Sequence, residues 1–283
     1  MKTIKIFTLI LILTVFSLPI TAQQPEFKVR VVGSGQPVLL FPGFSCTDEV
    51  WEDTVATLSK DYECHLFTFA GFGDVPPIAF PWYPKIENAV LDYIKMNDLD
   101  NPKLIGHSLG GTLALSLAAK APIFDQLIIV DALTATGALF FPDYKSENMV
   151  YESPYNTNLL AMEMEGFKGM ATQMASGMTL NKEKQQQLIA WMLQADRETY
   201  VYGYTDYLKV DLRETVAQIK SPVTILAATH PFGIEAAKKT YEAQYKNLPE
   251  YTLKFAEGSA HFIMYDKPEW FLEQLTLAFA PNE

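Results

Sequence analysis

Ser108, an acid downstream of it and His261 are the side chains whose types and order suit acyl transfer. A serine hydroxyl is a weak nucleophile until a base takes its proton, and the base needs a partner that fixes its tautomer. Ser108 sits in Gly106-His107-Ser108-Leu109-Gly110-Gly111, between the apolar run Leu104-Ile105 and an Ala/Leu-rich stretch from Thr112 to Lys120. A buried strand that turns sharply into a helix lifts the serine Oγ above the sheet, and Gly106 and Gly110 supply the clearance. The backbone N–H of Leu109, at the start of that helix, then faces any anion forming beside Ser108. A glycine-bounded turn with an ordinary capping serine is the bland alternative. Two further pieces of the chain argue against it.

The first is His261. It follows the last strand-like run in Glu257-Gly258-Ser259-Ala260-His261-Phe262, on the strand-exit edge where sites of open α/β sheets form. His107 is fixed beside the serine and is expected to pack or bond locally, while His65 lies within a strand and His230 precedes a proline. For the acid, Asp131 ends the strand after the serine's helix and keeps the order Ser, acid, His. It could equally brace the loop that follows. Glu235 is the rival, and Asp206 and Asp211 are weaker candidates. The second piece is the loop Pro42-Gly43-Phe44-Ser45, where Gly43 lets the backbone turn and the N–H of Phe44 can serve as the second oxyanion donor. The Phe44 ring is also expected to line a pocket.

Elements able to hold these residues can be read in order. Phe27 to Val32 alternates and ends in Gly33-Ser34-Gly35, a strand and turn. Val38–Phe41, His65–Phe69, the run into Ser108, Leu127–Val130, Val223–Ala227 and Tyr251–Phe255 read as further strands. Helical spacing follows Asp48 or Thr47 as a cap (Val50, Trp51, Val55, Leu58), and helices are expected at about 85–96, 235–246 and beyond Pro268. Strands that are apolar on both faces and alternate with helices imply an α/β fold with a mainly parallel sheet. The rhythm breaks after Asp131. Residues 133–214 lack a strand signal and are rich in methionine and aromatic residues, including Tyr200, Tyr202, Tyr204 and Tyr207. They read as a helical insertion whose inner face is packed or, over a nucleophile, forms the pocket wall.

Lys2 and Lys5 precede an apolar run from Ile6 to Ile20 and the small-residue site Thr21-Ala22, which reads as a secretory signal peptide over residues 1–22. Its removal would take the net charge from −11 to −13, since two lysines and no acids are lost. An acidic chain without a basic run is a poor partner for nucleic acid or anionic membrane. The mature chain is expected to be secreted or periplasmic, without stable membrane insertion. Cys46 and Cys64 leave a disulfide open, and with four scattered histidines they offer no metal-ligand spacing. No metal and no cofactor is expected.

Phe41-Pro42-Gly43-Phe44, Ala70-Gly71-Phe72-Gly73, Gly106–Gly111 and His261-Phe262-Ile263-Met264 with Asp266 and Pro268 behind them together resemble the α/β-hydrolase superfamily. The resemblance is to its capped branch, which includes esterases, proline iminopeptidase-like peptidases and haloperoxidase-like proteins. It implies an α/β-hydrolase core over 23–132 and 215–283 with a helical cap at 133–214. Two departures stand out. Pro42-Gly43 replaces the usual His-Gly, and Ala228-Thr229-His230-Pro231-Phe232-Gly233 lacks the Asp usual after that strand, which shifts the acid's role to Asp131. The expected activity is hydrolysis of small apolar carboxylic esters through an acyl-enzyme on Ser108. The alternatives are a peptidase or amidase using cap carboxylates such as Glu163 or Glu165 for a free amine, and a non-catalytic ligand-binding homologue. Spacing leaves the substrate's identity and the oligomeric state open.

Overall fold

The structure, a computed structural model, describes residues 25–141 and 143–280, so the expected leader at 1–22 lies outside the described residues. The apolar runs pair into one seven-stranded sheet. Its strands are β1 (Phe27–Gly33), β2 (Gln36–Phe41), β3 (Tyr62–Phe69), β4 (Lys103–His107), β5 (Leu127–Val130), β6 (Val223–Ala228) and β7 (Thr252–Ala256). The spatial order is β1-β3-β2-β4-β5-β6-β7. β1 runs antiparallel to β3 at one edge, and the other neighbours are parallel.

Covering helices are α1 (Glu52–Leu58), α2 (Trp82–Met96) and α3 (Leu109–Lys120), then α4 (Gly137–Phe140), α5 (Pro154–Ala161), α6 (Met164–Met178), α7 (Lys182–Gln194) and α8 (Tyr204–Leu208) between β5 and β6. α9 (Ile234–Gln244), α10 (Ile263–Asp266) and α11 (Pro268–Phe279) complete the chain. Successive strand side chains point to opposite faces. Leu39, Phe41, Phe67 and Phe69 therefore share one core with Trp82 of α2, Leu113 of α3 and Tyr241 of α9. Val38, Leu40 and Leu66 enter the other with Val55 of α1 and Phe271 of α11. Phe167 and Ala171 of α6 and Leu188 of α7 continue that second core into the helical segment between β5 and β6.

Spacing predicts a start near Lys85 for α2, but the helix begins at Trp82. The Trp82 N–H, one of the orphan amides of a first turn, donates to Asp206 Oδ2 at 2.5 Å. That carboxylate also accepts from the Tyr151 hydroxyl at 2.6 Å and is 4% exposed, so Asp206 serves as a buried cap and is unavailable as a partner for His261. The expected cap before α1 is absent. Thr47 makes no side-chain cap bond, and Asp48 instead accepts from Thr68 at 3.0 Å and from Arg30 at 2.6 Å. Cys46 and Cys64 are both free and buried, so the disulfide left open by the sequence is not made.

Candidate active site

β4 ends at His107 and α3 begins at Leu109, leaving Ser108 alone at the turn with φ 53° and ψ −120°. A non-glycine residue adopts such a backbone only where its surroundings over-determine it. Here they do. Ser108 N–H donates to Val130 O at 2.9 Å, and Ser108 O accepts from Gly111 N and Thr112 N as α3 starts. The approach is too close for side chains on the flanking residues: a Cβ on Gly106 would lie 2.2 Å from Gly110 O, and one on Gly110 would lie 2.3 Å from Phe41 O. The loop after β2 comes equally near, because a Cβ on Gly43 would meet His107 Nδ1 at 2.8 Å and Ser108 Cβ at 3.5 Å. The Gly43-Phe44 backbone therefore lies against Ser108 on one side, and the first-turn amide of Leu109 on the other.

The Phe44 ring lines the cavity above Ser108, edge-on to Phe72 at 5.0 Å and to Tyr204 at 5.1 Å.

His261 arrives from the loop after β7, and its neighbours are held from several directions. Ala260 N–H donates to Asp266 Oδ2 at 2.8 Å, Phe262 N–H donates to Met178 O at 2.9 Å, and His107 Nε2–H donates to His261 O at 3.1 Å. The His261 ring donates from Nδ1 to Asp131 Oδ2 at 2.6 Å. With that nitrogen committed, the neutral ring carries its lone pair on Nε2. Asp131 lies one residue past β5 with φ 44°, a left-handed conformation that aspartate tolerates. Its Oδ1 accepts from Ala228 N–H and from the Tyr241 hydroxyl, each at 2.7 Å. The carboxylate is thus fixed by three donors, and burial, with the Asp131 charge after it, holds the Tyr241 phenol well above its usual range.

The rival acids stand elsewhere. Glu235 is exposed in the first turn of α9 and outside the cavity lining, and Asp211 pairs with Arg213 at 2.6 Å. Glu163 and Glu165 are exposed and do not line the cavity either.

His107 packs beside His261 with ring centroids 4.6 Å apart. Burial, and after it the neighbouring His261, depresses its pKa well below the ordinary imidazole value. It remains neutral, and its buried Nδ1, facing Gly43, has no hydrogen-bond partner among the described residues. His65 is bonded to Tyr93 and Glu63 within the fold, whereas His230 lines the cavity.

Two tyrosines join the site without a spacing signal. Tyr241 holds Asp131, as above. The Tyr207 hydroxyl, on α8, bonds with Thr136 Oγ1 at 2.7 Å, lies 3.5 Å from Thr112 Oγ1 and lines the same cavity as Ser108. Burial raises the pKa of this phenol, and the hydroxyls around it oppose that rise.

Ser108, Asp131 and His261 all line one cavity of about 460 Å³. Among the described residues its lining contains no Lys or Arg, and Asp131 is its single carboxylate. Among the described residues no group of three or more His, Cys, Asp and Glu is placed to hold a metal ion.

A mainly parallel sheet with a serine at its strand–helix elbow and a His–Asp pair facing the same cavity defines an α/β-hydrolase-type architecture. The chain belongs to the alpha/beta hydrolase family, whose model matches residues 38–274. An abhydrolase domain-containing protein of Caenorhabditis elegans, abhd-5.2, is 33% identical over 113 residues, 38% of this chain and 25% of its own length. The chain thus spans about a quarter of that relative. A putative carbamate hydrolase, RutD, of Azorhizobium caulinodans is 22% identical over 88% of this chain and 93% of its own. An esterase from Exiguobacterium antarcticum superposes with a TM-score of 0.74 at 18% identity, covering 90% of this chain and 98% of that one, a likeness of fold.

Proposed function

We propose that this protein is an exported serine esterase that cleaves small, uncharged, apolar carboxylic esters through an acyl-enzyme on Ser108. The observation that carries the reading is the 2.6 Å bond from His261 to Asp131 at a cavity lined also by Ser108 and free of other charge. His261 Nε2 takes the hydroxyl proton as Ser108 Oγ bonds to the carbonyl carbon, and Asp131 stabilises the imidazolium that forms. The N–H groups of Phe44 and Leu109 hold the oxyanion. The same proton passes to the departing alkoxide as its C–O bond breaks. Water, deprotonated by His261, then attacks the acyl carbon and releases the carboxylic acid and Ser108. Neither metal nor cofactor takes part in these steps.

The charge distribution supports neutral substrates. A peptidase would need a carboxylate for the free amine, and the one in the cavity is saturated by His261, Tyr241 and Ala228. A binding-only role would leave the positioned imidazole unused. The names of the esterase from Exiguobacterium antarcticum and of the putative carbamate hydrolase accord with acyl transfer to water. A panel of p-nitrophenyl esters and aminoacyl-arylamides tests the reading. Turnover of the esters, lost in Ser108→Ala, supports it; arylamide turnover in preference to esters contradicts it. Export is tested by sequencing the secreted amino terminus, expected to begin at Gln23.

A further inference from the structure

Among the described residues, Leu139 (54% exposed), Phe140 (56%), Tyr155 (67%) and Phe232 (84%) are large, predominantly apolar and solvent-exposed, and all four line the cavity that holds Ser108. They come from three separate places: α4, the first turn of α5 and the loop between β6 and α9. Exposed apolar side chains scattered singly are ordinary on a protein surface; a group converging on one opening marks a surface built to be covered. Phe232 is the extreme case. It stands in the loop between β6 and α9, and Gly233 behind it, at φ 82°, turns the chain.

We propose that this apolar rim docks the protein on aggregated, uncharged esters with long acyl chains, such as the surface of a neutral lipid droplet, and that substrate enters the cavity from there. The proposal rests on the ester-hydrolase reading of the site, replaces its small esters with long-chain ones and adds the physical state of the substrate. Two observations select this occupant. The rim, which Met174 (37% exposed) extends, is continuous with an apolar interior in which Leu159, Met170, Met178, Leu188 and Met192 line the cavity. Unbranched thioether side chains adapt to flexible chains, so an acyl chain leaving the aggregate stays in apolar surroundings from rim to interior. Charge makes the second selection. The lining has no cation, the chain's formal net charge is −11, and the exposed Glu235 follows Ile234 at the rim's edge. Anionic headgroups would be repelled, and no basic cluster at the cavity compensates.

The test separates docking from catalysis. The full mature chain carrying Ser108→Ala is floated with triolein droplets coated in phosphatidylcholine, and in parallel with phosphatidylglycerol vesicles. Co-flotation with the droplets is expected, several-fold weaker on the vesicles. Phe232→Ser in the same background should lower the droplet-bound fraction, and Leu139→Ser/Phe140→Ser/Phe232→Ser should lower it at least tenfold with an unchanged Tm. No flotation of the Ser108→Ala chain, or flotation indifferent to Phe232→Ser, overturns the proposal. A dimer that dissociates on Phe232→Ser without any flotation also overturns it, by making the rim a face between copies of this chain. Because flotation needs no turnover, failure of the ester-hydrolase reading would appear separately, as absent ester cleavage by the unsubstituted chain.

Discussion

At the scale of single residues, the site is a chain of committed hydrogen bonds. Asp131 has one oxygen for His261 and one for Tyr241 and Ala228, which leaves its orientation no freedom. Asp131→Asn should therefore fold normally but present the wrong donor to Nδ1, lowering kcat by about 10⁴, the size of the equivalent substitution's effect in a serine protease. A rate near that of the unsubstituted enzyme would move the acid's role elsewhere. Tyr207 offers a finer test. Its hydroxyl bonds Thr136 at the cavity that holds Ser108 but carries no charge in the proposed steps. Tyr207→Phe should lower kcat by up to about tenfold, the worth of one hydrogen bond, with little change in KM. A KM effect alone would reduce Tyr207 to a wall of the cavity. The Ser, His and Asp positions were legible because glycine spacing and strand ends announce them. Tyr241 and Tyr207 were not, because they reach Asp131 and Thr136 from 110 and 71 positions away, and local pattern carries no record of such partners.

At the scale of elements, the sheet was the most legible feature, since parallel strands buried on both faces are written as unbroken apolar runs. The start of α2 was misread for the same reason the tyrosines were missed. Its cap, Asp206, lies 124 residues downstream, on α8. That contact also ties the helical segment between β5 and β6 to the sheet's own helices. Asp206→Ala would strand the buried Trp82 N–H and the Tyr151 hydroxyl, at a cost of about 1–3 kcal/mol per unsatisfied buried group. For a chain of this size a lower Tm is expected, by roughly 2–4 °C per kcal/mol. The measurement is thermal unfolding by circular dichroism, and an unchanged Tm would show that α8 is held by other contacts. The elbow is less forgiving. Gly110→Ala forces a Cβ to within 2.3 Å of a backbone oxygen, so loss of soluble folded protein is expected.

At the scale of the whole molecule, burial of neutral titratable groups sets the pH window of stability. His107 is held neutral, its pKa well below 6.5, by burial and by its neighbour His261. As pH falls below 6.5 the unfolded chain takes up a proton that the folded one refuses, so this contribution to stability is lost progressively toward the depressed folded pKa. Tyr83, Tyr241 and Tyr245 lie at the opposite end, each pushed well above 10 chiefly by burial. Their folded forms keep the proton, so stability falls once pH rises past 10, where the unfolded phenols ionise. A Tm plateau between about 6.5 and 10, with shoulders falling on both sides, is expected from melts across pH. A Tm that climbed above pH 10 would contradict the burial of these phenols.

Ester cleavage at this site requires Ser108 to be an activated nucleophile beside a working oxyanion site. That is read from the intact mass of the protein after incubation with a fluorophosphonate, with peptide mapping and the Ser108→Ala protein as control. One adduct per chain is expected, mapped to Ser108 and absent from the control. A folded protein that takes up no adduct, or takes it up on another residue, would contradict it.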